Sequence, residues 1–256
     1  LRVAHKSIVP PSRLPAALAG VVVAAAEGKG VAAPAALAGI VPTDDERAIA
    51  ASLASGKKAA VLLGNLAMQH ADASQLHALA AALGQITGAT VGFLTEAANT
   101  VGAHVAGALP QSGGMNAQAM LAEPRKAYLL LHAEAEFDFA NPVAARAALD
   151  KAELVVVMSP FVQGEAYADV LLPVAPFTET AGSFVSCEGR LQDFHGVVKP
   201  LGDARPAWKV LRVLGTMLGL PGFDADAVTD VRASVIADAA AIAGLLSNAS
   251  RVEVGR

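Results

Sequence analysis

Residues 59–94 read AAVLLGNLAMQHADASQLHALAAALGQITGATVGFL, and this run contains one complete strand–helix–strand pattern. Residues 59–63 are continuously apolar and predict a buried strand, and residues 91–94 predict a second one. Between them, residues 72–86 predict a helix whose large apolar side chains share one side: Leu76, Leu79, Leu83 and Ile86. Because continuous apolar strands separated by helices are typical of parallel sheets covered on both faces, the run indicates an α/β protein.

The alternation of helices and strands continues downstream. The further elements follow in this order: helix 116–122, strand 128–131, helix 142–150, and strands 154–158 and 170–172. We therefore expect an α/β fold with a doubly wound, mostly parallel sheet flanked by helices.

Beyond residue 180 the pattern changes to a small β-element and helices. Residues 184–186 and 191–194 flank Gly189 and predict the β-element. Pro206 begins a predicted helix, and residues 226–246 predict a last, alanine-rich helix. The fold therefore has helical N- and C-terminal segments around an α/β centre.

The N-terminal segment carries its own helix signals. Thr43 and Glu46 have the spacing of a capping box, and Gly56 stands where a left-handed residue would end that helix. Residues 14–26, LPAALAGVVVAAA, resemble the apolar core of a signal peptide, but they also fit a buried helix. They are too short to span a bilayer, which takes about 20 apolar residues.

These signals predict three regions. Residues 1–57 are a helical segment that completes a preceding domain, 58–222 are a Rossmann-like α/β domain, and 223–256 are a C-terminal helix and tail. The chain opens with Leu1 rather than methionine, so we expect it to be a processed product or a piece of a longer protein.

Charge and cysteine content exclude several functions. The chain has 19 basic and 23 acidic residues, and its lysines and arginines form no basic stripe, so nucleic-acid binding is not expected. Cys187 is the single cysteine. It excludes an internal disulfide and any iron–sulfur cluster held by this chain's thiolates alone.

Ligands of open parallel sheets bind beyond the C-terminal strand ends. The corresponding loops offer weak candidates for a vestigial cofactor pocket: Gly64, Asn65, Glu96 and Asn99. No lysine or arginine occurs from residue 59 to residue 124, and phosphates need cations, glycine-rich turns or helix N-termini. We therefore expect no catalytic residue, no cofactor and no metal in this chain.

Four motifs leave a functional alternative beside a structural one. Gly113–Gly114 could cradle a phosphate or form a plain turn. His70 and His77 could share a helix face and bind a metal, or be ordinary surface or core histidines. The run HAEAEFDF at residues 132–139 offers three carboxylates for acid–base work or a hard cation, or is a solvated loop. Cys187 and His195 could pair as a nucleophile and its base, although nothing supplies an oxyanion hole.

Residues 168–220 carry the resemblance to a known family. The marks are Ala168–Asp169–Val170, Leu172–Pro173, Thr178–Glu179, Gly182, Glu188–Gly189–Arg190, Gln192, Arg205–Pro206 and Trp208. This string resembles the molybdopterin-oxidoreductase superfamily. With the upstream stretches over residues 56–220, it is most similar to the cofactor-less C-terminal region of the large iron–sulfur subunit of bacterial respiratory complex I (NADH–quinone oxidoreductase), the largest subunit of its peripheral arm. Ser186 stands where that family commonly has asparagine.

The resemblance implies a structural and interaction module of the complex I peripheral arm. Its partners would be other peripheral-arm subunits at the cytoplasmic face of the inner membrane, with no membrane insertion of its own. Iron–sulfur clusters would lie in an N-terminal part of the full subunit, outside this chain.

Two alternative functions stay open beside the one that the resemblance implies. This chain could be a fragment of a catalytic molybdopterin oxidoreductase such as a formate dehydrogenase, or a module that keeps NAD in the sheet crevice. Among the motif residues we expect positive φ at Gly182 and Gly189 and a buried Trp208. We also expect the Arg190 guanidinium to form a bidentate ion pair with the carboxylate of Glu179 or Glu188.

Overall fold

The computed structural model describes residues 3–236, 239–245 and 253–255, and the chain divides into two compact units. The first unit comprises Leu1–Thr100 and Gly244–Arg256, and the second comprises Val101–Ala243. The predicted division at residues 57 and 222 stays a prediction.

In its described residues, the first unit pairs two parallel strands with α-helices. These are β1 (Ala60–Leu63), β2 (Thr90–Phe93), α1 (Leu14–Lys29), α2 (Asp44–Ser55), α3 (Asn65–Met68) and α4 (Ala73–Thr87). Strand β1 pairs with β2 in parallel from Ala60↔Thr90 to Leu63↔Phe93. The strand–helix–strand pattern predicted for residues 59–94 is confirmed to within a residue or two.

Helix α1 is the central element of the first unit's core. All residues from Ala19 to Ala26 are buried, and they pack with side chains such as Ala50 and Leu79. Small side chains let neighbouring backbones approach closely, so an alanine-rich helix can be covered on every side. Gly30 adopts φ 66° and ends the helix. Residues 14–26 are therefore part of a core helix.

Helix α2 begins with the predicted capping box. The Thr43 N–H donates to Glu46 Oε2 at 2.8 Å, and the Glu46 N–H donates to Thr43 Oγ1 at 3.3 Å. The Glu46 side chain lies against Gly20 of α1, where an added Cβ would come within 2.2 Å of Oε2. The prediction for Gly56 is wrong, because its φ is −71° and the chain leaves α2 in an extended conformation that any residue can adopt.

The second unit contains a three-stranded parallel sheet and an antiparallel hairpin. Its strands are β3 (Ala127–Leu131), β4 (Leu154–Ser159), β5 (Val170–Pro173), β6 (Gly182–Val185) and β7 (Leu191–Phe194). The parallel sheet has the order β3–β4–β5, and β6 pairs with β7. The α/β class with parallel sheets flanked by helices and a small β-element is confirmed, with one parallel sheet in each unit.

Up to residue 217 the second unit contains the three helices that the sequence predicts and one, over residues 100–105, that it does not. They are α5 (Thr100–Val105, starting at the unit boundary), α6 (Ala117–Ala122), α7 (Pro142–Leu149), α8 (Ala207–Met217), α9 (Val228–Val235) and α10 (Ala239–Leu245, which runs past the boundary). A single helix over 226–246 is wrong, because Ile236 is extended and ends α9. Residue 246 lies outside the described residues. Among the described residues, no helix is long and apolar enough to cross a membrane.

Strand β4 is the core of the second unit's sheet. Val155, Val157 and Met158 are at most 1% exposed, because β4 lies between two strands and carries apolar side chains on both faces. Val155 and Val157 pack in one cluster with residues such as Leu149 of α7 and Tyr167. A buried central strand fixes where β3, β4 and β5 end, and so positions the loops that follow them.

Candidate functional site

The four predicted pocket residues lie at one edge of the first unit's sheet: Gly64 directly after β1, Asn65 at the start of α3, and Glu96 and Asn99 in the loop after β2. Because β1 and β2 are parallel, the loops that follow them leave from the same edge. The Gly64 carbonyl accepts the N–H of Ala67 at 3.0 Å and that of Met68 at 3.1 Å. The Asn65 carbonyl accepts the Gln69 N–H at 2.9 Å.

The two loops of this edge are joined by side chains. Gln69 Nε2 donates to Glu96 Oε2 at 2.7 Å, which ties the loop after β1 to the loop after β2. Asn99 follows in the same loop, directly before α5. The edge thus holds backbone carbonyls, amides and one carboxylate, and the assignment of Gly64, Asn65, Glu96 and Asn99 to a ligand pocket stays a prediction.

A cavity of about 570 Å³ lies at the strand ends of the second unit's sheet. His132 follows β3, Ser159 ends β4, and Ala175 comes two residues after β5, and all three line this cavity. Its aromatic walls are Phe161, Phe177, Phe184, Phe194 and Trp208. We call it the second-unit cavity. Its volume is in the range of small-molecule sites.

His132 has an unusual backbone at the mouth of this cavity. Its φ is 50°, a value that few residues other than glycine adopt, although histidine does so more readily than most. Its N–H donates to the Met158 carbonyl at 3.0 Å, which extends the β3–β4 pairing by one residue. Partial burial of the ring lowers the pKa of His132 below its usual value, so the neutral imidazole dominates at neutral pH.

Two polar groups of the loop after β4 also line the cavity. The buried Ser159 hydroxyl accepts the Phe161 N–H at 3.1 Å. Within the described part of the chain, Gln163 Oε1 is buried and no donor meets it. Buried polar atoms are nearly always satisfied, so Gln163 marks a place where a ligand or water donor fits. Sequence reasoning did not single out Gln163, because a lone glutamine in a loop forms no recognisable motif.

The acidic run at 132–139 does not form a carboxylate cluster. Glu134 lines the second-unit cavity, while Asp138 Oδ2 accepts the Glu134 N–H at 2.7 Å. Glu136 accepts the Tyr167 hydroxyl at 3.4 Å, and burial raises the pKa of Tyr167. No group of three or more histidine, cysteine or carboxylate side chains suited to a metal occurs among the described residues.

The histidines predicted to share a helix face do not share one. His70 lies in the turn before α4, where Nδ1 accepts the Asp72 N–H at 2.9 Å and Nε2 lies 3.0 Å from the Pro11 carbonyl. His77 lies within α4, and its ring packs edge-on against Phe93 with the centroids 5.0 Å apart. Both rings therefore have structural contacts of their own.

The remaining two candidate motifs are structural as well. Cys187 lies in the β6–β7 turn and His195 at the opposite end of that hairpin, about 13 Å apart at the usual strand rise, so they are no nucleophile pair. Gly113–Gly114 is a turn, in which Gly113 has φ 82° and the Gly114 N–H donates to the Gln111 carbonyl at 2.7 Å.

Several family-like motif residues hold the second unit together. Asp169 Oδ2 accepts the N–H of Val155 in β4 at 2.7 Å. Glu179 Oε2 accepts the Leu201 N–H at 3.0 Å, and Gly189 has the expected positive φ, 79°. These side chains and this turn bond to backbone rather than face an open site.

Three structural predictions for the motif residues are wrong. Gly182 has no positive φ. It is small because an added Cβ would lie 2.6 Å from Phe194 Cζ. Arg190 forms no ion pair with a described carboxylate, neither Glu179 nor Glu188. Trp208 is half-buried, because one side of its ring lines the cavity.

Asp193 of β7 is the most strongly bonded carboxylate of the hairpin. Ser183 Oγ donates to its Oδ1 at 2.6 Å, and Arg232 of α9 pairs with its Oδ2. These hydrogen bonds, that of Ser183 first and that of Arg232 second, hold the pKa of Asp193 below its usual value. The hairpin is thereby linked to α9.

Comparison with known proteins identifies the family. The model of the molybdopterin oxidoreductase family matches residues 34–217. Proteins of Staphylococcus aureus strains USA300 and N315, each named "Putative formate dehydrogenase", are 39% identical to this chain over 75 residues. The match covers 29% of this chain and only 8% of each relative. Because the family match extends over more than half of its residues, this chain belongs to the molybdopterin oxidoreductase family.

Proposed function

We propose that this chain is the framework part of a molybdopterin oxidoreductase such as a formate dehydrogenase, and that it supplies no catalytic residue. The observation that carries the proposal is the family match over residues 34–217, and the similarity to proteins named as formate dehydrogenases supports it. The framework role is supported by the motif residues, since Asp169 and Glu179 both bond to backbone N–H groups.

The described residues do not fit a phosphate-bearing pterin. No lysine or arginine lines the second-unit cavity, and none occurs in residues 59–124, which supply both loops of the first unit's edge. The helices that follow β1 and β2 have only four and six residues. In this proposal, other parts of the enzyme therefore hold the cofactor.

The lack of lysine and arginine at these strand ends also supports a second candidate function. In it, the chain is the cofactor-less C-terminal module of the large iron–sulfur subunit of an NADH–quinone oxidoreductase. It would contact other peripheral-arm subunits on the cytoplasmic face of the inner membrane. The cation-free strand ends favour this candidate, because a module without a bound pterin needs no phosphate contacts.

Metal and pterin analysis of the native enzyme that contains this chain tests both candidates. The first expects stoichiometric molybdenum, a pterin released on oxidation, and formate-dependent dye reduction. The second expects iron without molybdenum, and NADH-dependent quinone reduction in the complex that co-purifies. An enzyme with neither metal and neither activity would contradict both, and molybdenum bound by the isolated chain would contradict the framework role.

A further inference from the structure

The walls of the second-unit cavity are aromatic. Phe161 and Phe177 are 70% and 76% exposed at its rim, and Phe184 and Phe194 pack edge to face with their centroids 5.0 Å apart. The half-buried ring of Trp208 is part of the same lining. Aromatic faces carry partial negative charge and attract organic cations, most strongly where water is excluded.

The charges at the cavity have one sign. Glu134 is the carboxylate of the lining, and the lining contains no lysine or arginine. Lys209 does not line the cavity, but its Nζ lies 5.4 Å from the centroid of the Trp208 ring. His132, the remaining titratable group of the lining, carries no charge when its imidazole is neutral. The cavity therefore favours a positive ligand over a negative one.

Two polar groups of the cavity are hydrogen-bond acceptors that a ligand with N–H donors could meet. Gln163 Oε1 is buried and unmet in the described structure, and the Glu134 carboxylate can only accept hydrogen bonds when ionised. A ligand with several N–H donors and a positive charge would satisfy both. A planar amidinium or guanidinium on an apolar body combines those donors with a face that stacks on aromatic rings.

We infer that the second-unit cavity binds a small organic cation of the amidinium or guanidinium class, with its charged head towards Glu134 and Gln163 and its apolar body against the aromatic walls. The inference does not rest on the proposed function, because it is argued only from the residues that line this cavity.

Three isosteric probes test the charge requirement in the purified chain: benzamidine is a cation, benzamide is neutral and benzoate is an anion. Binding is followed by calorimetry and by the fluorescence of Trp208, which is the single tryptophan of the chain and lines the cavity. We expect benzamidine to bind about tenfold more tightly than benzamide, and benzoate more weakly than both. Equal affinities, or no saturable benzamidine binding, would overturn the inference.

Paired variants locate the binding. Glu134→Gln should weaken the binding of benzamidine about tenfold and leave the binding of benzamide nearly unchanged, because it removes the charge and keeps the shape of the side chain. Glu136→Gln is the matched control, because Glu136 lies in the same loop without lining the cavity. Lys209→Gln should strengthen benzamidine binding by removing a nearby cation. Equal weakening of benzamidine binding by Glu134→Gln and Glu136→Gln would refute the site. If Glu134→Gln does not fold, the comparison of the three probes on the native chain still tests the inference.

Discussion

Replacement of Asp169 tests whether the Ala168–Asp169–Val170 motif holds the second unit's sheet. The Asp169 N–H donates to the Val155 carbonyl at 2.9 Å, and its carboxylate accepts the Val155 N–H at 2.7 Å. One residue thus satisfies both backbone groups of Val155, which is 1% exposed. Asp169→Ala removes the acceptor and leaves that N–H unpaired in the core strand.

The size of the effect follows from the kind of hydrogen bond. A hydrogen bond to a charged acceptor contributes about 1.5–3 kcal/mol. Because Asp169 itself is exposed, water can replace part of the bond, and we expect Asp169→Ala to lower the free energy of unfolding by about 2 kcal/mol. Asp169→Asn keeps an oxygen acceptor at the same position, so it should cost less than about 1 kcal/mol.

Urea denaturation followed by Trp208 fluorescence measures the difference, because the chain's single tryptophan lies in the second unit. At a slope of about 2 kcal/mol per M urea, Asp169→Ala should move the midpoint down by about 1 M. An unchanged midpoint for Asp169→Ala would show that the bond between the Asp169 carboxylate and the Val155 N–H does not stabilise the sheet. So would an equal loss for Asp169→Asn, because it would show that the acceptor oxygen is not what matters.

Three further predictions concern stability. Gly20→Ala should destabilise the first unit, because its new Cβ would displace the Glu46 carboxylate, which accepts the Thr43 N–H in the capping box. Gly28→Ala in the same helix meets no neighbouring atom, and circular-dichroism melts should show a gain of up to about 1 kcal/mol. Leu76→Ala should cost about 2–5 kcal/mol in the same assay, since Leu76 is 1% exposed. Because the pKa of Asp193 is lower in the folded chain than in the unfolded chain, its carboxylate stabilises the fold above about pH 4. This stabilisation is lost as the pH falls through the folded-state pKa. The urea midpoint of Asp193→Asn should therefore change less than that of the native chain between pH 7 and pH 3, and an identical change would contradict this.

The strands could be predicted from the sequence because each is a continuous apolar run with a physical need to be covered. Residues 154–158 became β4 for that reason, and the spacing of Thr43 and Glu46 was enough to identify the cap of α2. These are local signals, in which neighbours along the chain determine the conformation.

The second-unit cavity could not be predicted in the same way. It is assembled from residues between His132 and Trp208 that only the three-dimensional fold brings together. Gly182 is small because of Phe194, a cross-strand contact that no local pattern reveals. The positive φ of His132 likewise depends on its bond to the Met158 carbonyl in the neighbouring strand.

Calorimetric titration of NADH and of guanosine diphosphate, two phosphate-bearing probes, into the purified, folded 256-residue chain tests whether its strand ends can bind a phosphate-bearing cofactor. Among the described residues no lysine or arginine lines the second-unit cavity, and none occurs in the sequence from residue 59 to residue 124. We therefore expect no saturable heat for either nucleotide up to about 1 mM. Stoichiometric binding with a micromolar dissociation constant would contradict it and would show that this chain holds a cofactor itself.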